Sequence, residues 1–355
     1  MESQYKFSKA LRFKLLHRNI FIAIEIVRVL NIKSIPTDSS TSEVIAHQIK
    51  HYAGNVASAF FPRLHSLYSR REKFEDGISA VVITKDDIWL EESLRSIENY
   101  IDELVVVDSS SKEYLSRNTK LVSELNIPEK KHIVRNLNQR EARKLAFDNC
   151  TRSWILVWDG DVVAMDEGRN NISELMKYVR SLDTRKYYYK IFFPQILIGK
   201  NFREVQKQYY HVEAWIVSNS KHFKWNPKKI WDRGSTPLFF KKKVLDTPYA
   251  LHINHIRQRE MELNRIISIE WYKSQNRGEN IDYETFYKNY PEISKLPDLT
   301  KGELYDENLL GKIPKILHKY KNLEYDQILQ EKQMYIFGAP AETGQHIGPG
   351  NSQSE

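Results

Sequence analysis

The tripeptide Asp159-Gly160-Asp161 closes the apolar run Trp154-Ile-Leu-Val-Trp158. Two carboxylates one residue apart at the carboxyl end of a strand can both reach one hard divalent cation, and a cation held there can bridge two phosphates. The spacing alone fits a solvated turn equally well. A further carboxylate, Asp108, ends Leu104-Val-Val-Val107 and precedes Ser109-Ser-Ser111. It can accept hydrogen bonds from a base imide or from ribose hydroxyls, or serve an ordinary Asx turn. Gln139-Arg-Glu-Ala-Arg143 opens the helical pattern ahead of the Asp-x-Asp strand. Guanidinium groups of Arg140 and Arg143 at a helix start suit phosphate, and the same positions fit a solvated helix face.

These groups must be positioned by the rest of the 355 residues, of which 41% are hydrophobic and 28% charged. That balance sustains a core and excludes fibrous or wholly disordered chains. The single cysteine, Cys150, forms no internal disulfide and builds no multi-cysteine metal site, so a reducing compartment is expected and any metal falls to oxygen or histidine. The richest apolar stretch, Ile20–Leu30, is interrupted by Glu25 and Arg28, so neither a membrane span nor a signal peptide is expected and a cytoplasmic location follows. The net charge of +8 is modest for this length and argues against nucleic acid as the partner.

Residues 1–76 read as helical. Leu11, Leu15, Ile22, Ile26 and Val29 share one face of a helix whose first half carries Lys6, Lys9, Arg12, Lys14 and Arg18. This basic amphipathic pattern, over residues 5–30, fits either packing on the catalytic domain or peripheral contact with an anionic membrane. Ser40 and Glu43 have capping-box spacing for a second helix running to about Phe60.

From Gly77 the pattern changes to short buried strands alternating with helices: Ile78–Ile83, Trp89–Tyr100, Glu103–Asp108, Leu121–Leu125, His132–Arg135, Gln139–Asn149 and Trp154–Asp159. Parallel neighbours need helical crossovers, so the order predicts an α/β protein with a doubly wound, mostly parallel sheet. Aromatic strands such as Lys186–Pro194 and a long helix over about Gln258–Asn276 follow. Lys241-Lys-Lys243 reads as a solvated turn or a contact to an anionic acceptor. Residues 277–337 read as a polar extension with one helix at Lys315–Gln333, and 338–355 as a disordered tail.

The ordered set Val81-Val-Ile-Thr-Lys-Asp86, Leu104-Val-Val-Val-Asp108-Ser-Ser-Ser111, Asn138-Gln-Arg-Glu-Ala-Arg143-Lys-Leu-Ala146 and Trp154-Ile-Leu-Val-Trp-Asp159-Gly-Asp161 resembles family 2 glycosyltransferases of the GT-A fold, a Rossmann-like architecture. The likeness is strong over Ile78–Met165 and looser to about residue 275. It implies Thr84, Asp108 and Arg143 for the nucleotide, and Asp159 with Asp161 for ribose and a Mn or Mg ion against the diphosphate. Leu251-His-Ile-Asn-His255-Ile-Arg257 resembles the late histidine stretch of such enzymes, which implies His255, or its rival His252, as a further metal ligand. Asp232 lies where related enzymes carry the acidic general base, with Glu213 as the second candidate. The implied activity is metal-dependent, inverting hexosyl transfer from a nucleotide-diphosphate sugar to a glycan, lipid or protein hydroxyl.

Two other readings compete. A nucleotidyltransferase also sets carboxylates on an α/β sheet, but Val81–Asp87 contains no glycine for a phosphate loop. A degenerate GT-A scaffold would serve as a binding protein at a membrane surface or nucleic acid.

Overall fold

A computed structural model describes residues 74–184, 187–211, 215–221, 223, 225, 240–257, 281–289, 302–337 and scattered positions between 263 and 279. The N-terminal region to residue 73, the tail from 338, Asp232 and Glu213 lie outside the described residues, as does most of the helix expected over Gln258–Asn276.

The alternating segments form the expected crossovers. Strands β1 (Glu75–Thr84), β2 (Glu103–Asp108), β3 (Glu129–Val134) and β4 (Arg152–Asp159) are joined by helices α1 (Leu90–Ile97), α2 (Lys112–Glu124) and α3 (Gln139–Asp148). They pair in parallel in the order β4-β1-β2-β3. The central strands β1, β2 and β4 are largely apolar on both faces because helices cover both; Ile78, Ala80 and Val82 face one cluster, Val81 the other, while the edge strand β3 is polar. The register sets Ile83 opposite Asp159 and Thr84 opposite Asp108, so three strands end at one level.

Beyond β4 the sheet ceases to be purely parallel. Strand β9 (Trp215–Ser218) lies antiparallel between β4 and β6 (Tyr189–Phe192), and β10 (Lys241–Val244) closes the edge. The lysine triplet expected as a turn is therefore an edge strand, with the Lys241 ammonium over the Tyr187 ring. Lysines on an edge discourage pairing with another chain.

A second sheet went unread in the sequence. Its order is β12-β8-β7-β11-β5, built from β5 (Val162–Ala164), β7 (Gln195–Ile198), β8 (Glu204–His211), β11 (Ala250–His252) and β12 (Gly302–Leu304). Over it folds the C-terminal extension, which is packed rather than irregular: Leu310, Ile313, Leu317, Tyr320 and Ile328 join Trp89 and Phe202 in one core. The single helix expected over Lys315–Gln333 is two elements, a 3-10 helix (Lys315–Tyr320) and α5, the helix Tyr325–Phe337. The tighter winding stacks side chains three apart, so Leu317 and Tyr320 both turn inward before the chain reverses. Between β5 and β6 lies α4 (Ile172–Ser181), capped by the Asn171 side chain.

Candidate active site

The site forms where β1, β2 and β4 end beside β5 and β11. At the end of β2, Asp108 is fully buried. Its Oδ1 accepts from the Ser110 amide at 2.9 Å; its Oδ2 accepts from Asn118 Nδ2 at 2.9 Å and lies 3.1 Å from His132 Nε2. Burial alone would raise this carboxyl, but the hydrogen bonds from His132, Ser110 and Asn118 outweigh it and hold it below the ordinary value. Three donors thus face the carboxylate at the end of β2, where the sequence reading set a contact to base or ribose. Asp108 shapes the serine turn through the Ser110 amide. Asp86, in the left-handed backbone region at φ 53°, ties that turn to β1: its Oδ1 accepts from the Ser111 amide and its own amide donates to Ser110 Oγ. Thr84, buried at the end of β1, leaves its Oγ1 without a hydrogen-bond partner.

Arg143 projects from α3 beneath the strands and is buried. It donates to the carbonyls of Val81 (3.2 Å) and Trp158 (3.3 Å) and forms an ion pair with Asp159. A guanidinium has donors enough to join two strand ends and a carboxylate at once. Arg143 thus orients Asp159 from behind, while Arg140 sits half-buried in the first turn of α3.

Gly160 is needed for close approach: a Cβ there would stand 2.7 Å from Asp87 Oδ2. Asp161 is brought together with His252, whose Nε2 lies 3.3 Å from its Oδ1, because antiparallel pairing sets His252 opposite Val162. His255, preferred from the sequence, sits half-buried three residues on in the following turn. Arg257, quoted in that motif but given no role, donates to Asp161 Oδ2 at 2.5 Å. Asp87, which closes the glycine-free stretch Val81–Asp87, is pushed up to about 6 by burial and by the negative charge of Asp161, against the opposing charge of Arg257. No spacing rule would have found either residue, since their neighbours are remote in the chain.

Residues 79–247 match the model described as Glycosyl transferase family 2. Over this segment, just under half of the 355 residues, the chain is similar to that family. Its mixed α/β, parallel-rich sheet is the GT-A fold that the sequence resemblance implied. No curated protein matches the chain. Among solved structures, residues 1–349 of TarS from S. aureus are 16% identical, covering 62% of this chain and 75% of that one at a TM-score of 0.35. A 4-diphosphocytidyl-2C-methyl-D-erythritol synthase from Anaerococcus prevotii is 13% identical, covering 48% of this chain and 89% of that one at 0.32. An inositol-1-phosphate CTP transferase from T. maritima is 12% identical, covering 52% and 94% at 0.31. Among the described residues, no helix is long and apolar enough to cross a membrane.

Proposed function

We propose that this domain transfers a sugar from a nucleotide-diphosphate sugar to an acceptor hydroxyl, inverting the anomeric centre. The observation that carries the reading is the meeting of Asp159 and Asp161 with Arg143, His252 and Arg257 at the carboxyl ends of the sheet. Thr84 Oγ1, buried at the same level without a partner, is a candidate contact to the nucleotide.

The donor set suits a divalent ion in type. Two carboxylates and an imidazole are hard-to-borderline ligands, and Asp87, lifted first by burial and then by the charge of Asp161, stands beside them. No three such side chains form a ready cage among the described residues. That fits Mg or Mn, which is commonly held by one or two carboxylates and takes its other ligands from phosphates and water. Asp159 and Asp161 would hold it, with His252 beside Asp161, and a bound ion would offset charge on the departing diphosphate.

The chain's own groups carry the remaining steps. As the acceptor oxygen bonds to the anomeric carbon, the bond to the diphosphate oxygen breaks and charge develops on the leaving group. Arg257, with 19% of its side chain exposed, supplies a cation there. Arg143 keeps Asp159 oriented. The acceptor proton passes to a carboxylate, for which Asp232 and Glu213 are the sequence candidates.

A thermal-shift panel of UDP-, GDP-, CDP- and dTDP-sugars, each with and without Mn, tests the reading. A ligand bound by the folded state alone raises Tm. A rise with at least one donor, larger with Mn, is expected. A rise that ignores Mn would remove the ion while keeping the donor site. Absence of any rise would leave the degenerate scaffold in place of the enzyme.

A further inference from the structure

Arg257 is held from the C-terminal extension. In the turn after β11, Ile253 donates to the Asp161 carbonyl, Ile256 to the Ile253 carbonyl, and Arg257 Nε to the Asn254 carbonyl. Two groups from elsewhere fix its end. Trp89 Nε1 donates to the Ile256 carbonyl at 2.6 Å, and Tyr325 Oη donates to the Arg257 carbonyl at 2.5 Å. Tyr325 begins α5, whose Lys332, two turns on, is buried and donates to Glu92 at 2.5 Å. Tyr320 donates to the other Glu92 oxygen at 3.0 Å, and the Lys332 ammonium lies 4.5 Å from the centre of the Trp89 ring. One helix therefore grips both Trp89 and the Arg257 backbone.

We infer that α5 is a brace for the catalytic turn and that Tyr325 is a positioning residue, presenting the Arg257 guanidinium to Asp161 and to the leaving diphosphate. The functional half of this statement rests on the glycosyltransferase reading; the mechanical half does not. A displacement of about 1 Å in a reacting geometry costs up to ~100-fold, so a lost tether need not unfold anything to be felt.

Tyr325→Phe removes the hydroxyl and keeps the ring, and Tyr335→Phe on the same helix removes a hydroxyl bound only to Glu91. Hydrogen exchange of the full chain reads the brace without any substrate. Tyr325→Phe is expected to speed exchange at Ile256 about tenfold while the β1 and β2 amides and Tm hold. Tyr335→Phe should change none of these. Unchanged exchange at Ile253–Arg257 in Tyr325→Phe would overturn the brace.

With whichever nucleotide sugar the panel identifies, Tyr325→Phe should lower kcat about tenfold with little change in donor KM. In an Arg257→Ala background the same change should cost nothing further, because its effect runs through Arg257. Full additivity would overturn the positioning role. Faster exchange in a protein that turns over no nucleotide sugar would keep the brace and end the glycosyltransferase reading instead.

Discussion

Two acid–base pairs share Trp89 as a neighbour, and they are set in opposite ways. Glu92 and Lys332 are sealed, with side chains 4% and 1% exposed, and their contacts are completed by Tyr320 and an aromatic face. Asp161 and Arg257 are 12% and 19% exposed, stand beside His252, and have Asp87 close enough to be repelled. The first pair is buried and has cation to spare, since Lys319 also stands 3.9 Å from Glu92. The second is over-supplied with acid and open on one side, so a ligand can exchange for part of it. Burial of a charge pair therefore says little about its purpose; the balance around it and its access to solvent say more.

The largest effect should come from breaking the sealed pair. Lys332→Met leaves the buried Glu92 carboxylate to the largely exposed Lys319, 3.9 Å away, and is expected to cost about 3 kcal/mol of stability. Urea unfolding would measure it. Adding Glu92→Gln should return a good part of the loss, since the buried charge is then gone. A Lys332→Met protein as stable as the parent would mean that the pair is wet, and the contrast with Asp161 and Arg257 would collapse.

Next comes the open pair. Asp161→Asn keeps size and shape, and its expected cost in stability is about 1 kcal/mol or less. Its expected cost in turnover is roughly 100–1,000-fold, the scale of losing one group aimed at developing charge. Donor consumption followed beside a melting curve separates the two. If stability fell and turnover held, the two pairs would have exchanged roles.

The sequence made one of these regions legible and hid the other. Strands β1, β2 and β4 announce themselves as short apolar runs, and their carboxyl ends carry Thr84, Asp108 and Asp159 in order, so local pattern was enough to place them. What surrounds each was less legible: Asp108 sits at the expected strand end, where His132, Asn118 and Ser110 face its carboxylate. The second sheet escaped because β5, β11 and β12 are three residues each. The grip of Lys332 on Glu92 spans 240 residues, which no periodicity encodes. Yet α5 carried a readable face, Tyr325, Ile328, Leu329, Lys332 and Ile336, in which a lysine stands at an apolar position.

The smallest effect concerns the surplus acid. Burial and Asp161 raise the Asp87 carboxyl from 3.8 to about 6, so the folded chain binds its proton more tightly than the unfolded chain does. Stability from this group is then fully present below pH ~4 and is lost as pH rises through about 6, at up to roughly 3 kcal/mol by linkage. Asp87→Asn removes that slope, so in metal-free buffer the variant should gain on the parent between pH 4 and 6 and remain the more stable at pH 7. Added Mn should narrow the gap by neutralising the acid that repels Asp87. Parallel stability curves across this range would mean that Asp161 does not crowd its neighbour, and that the open pair carries no more surplus acid than the sealed one.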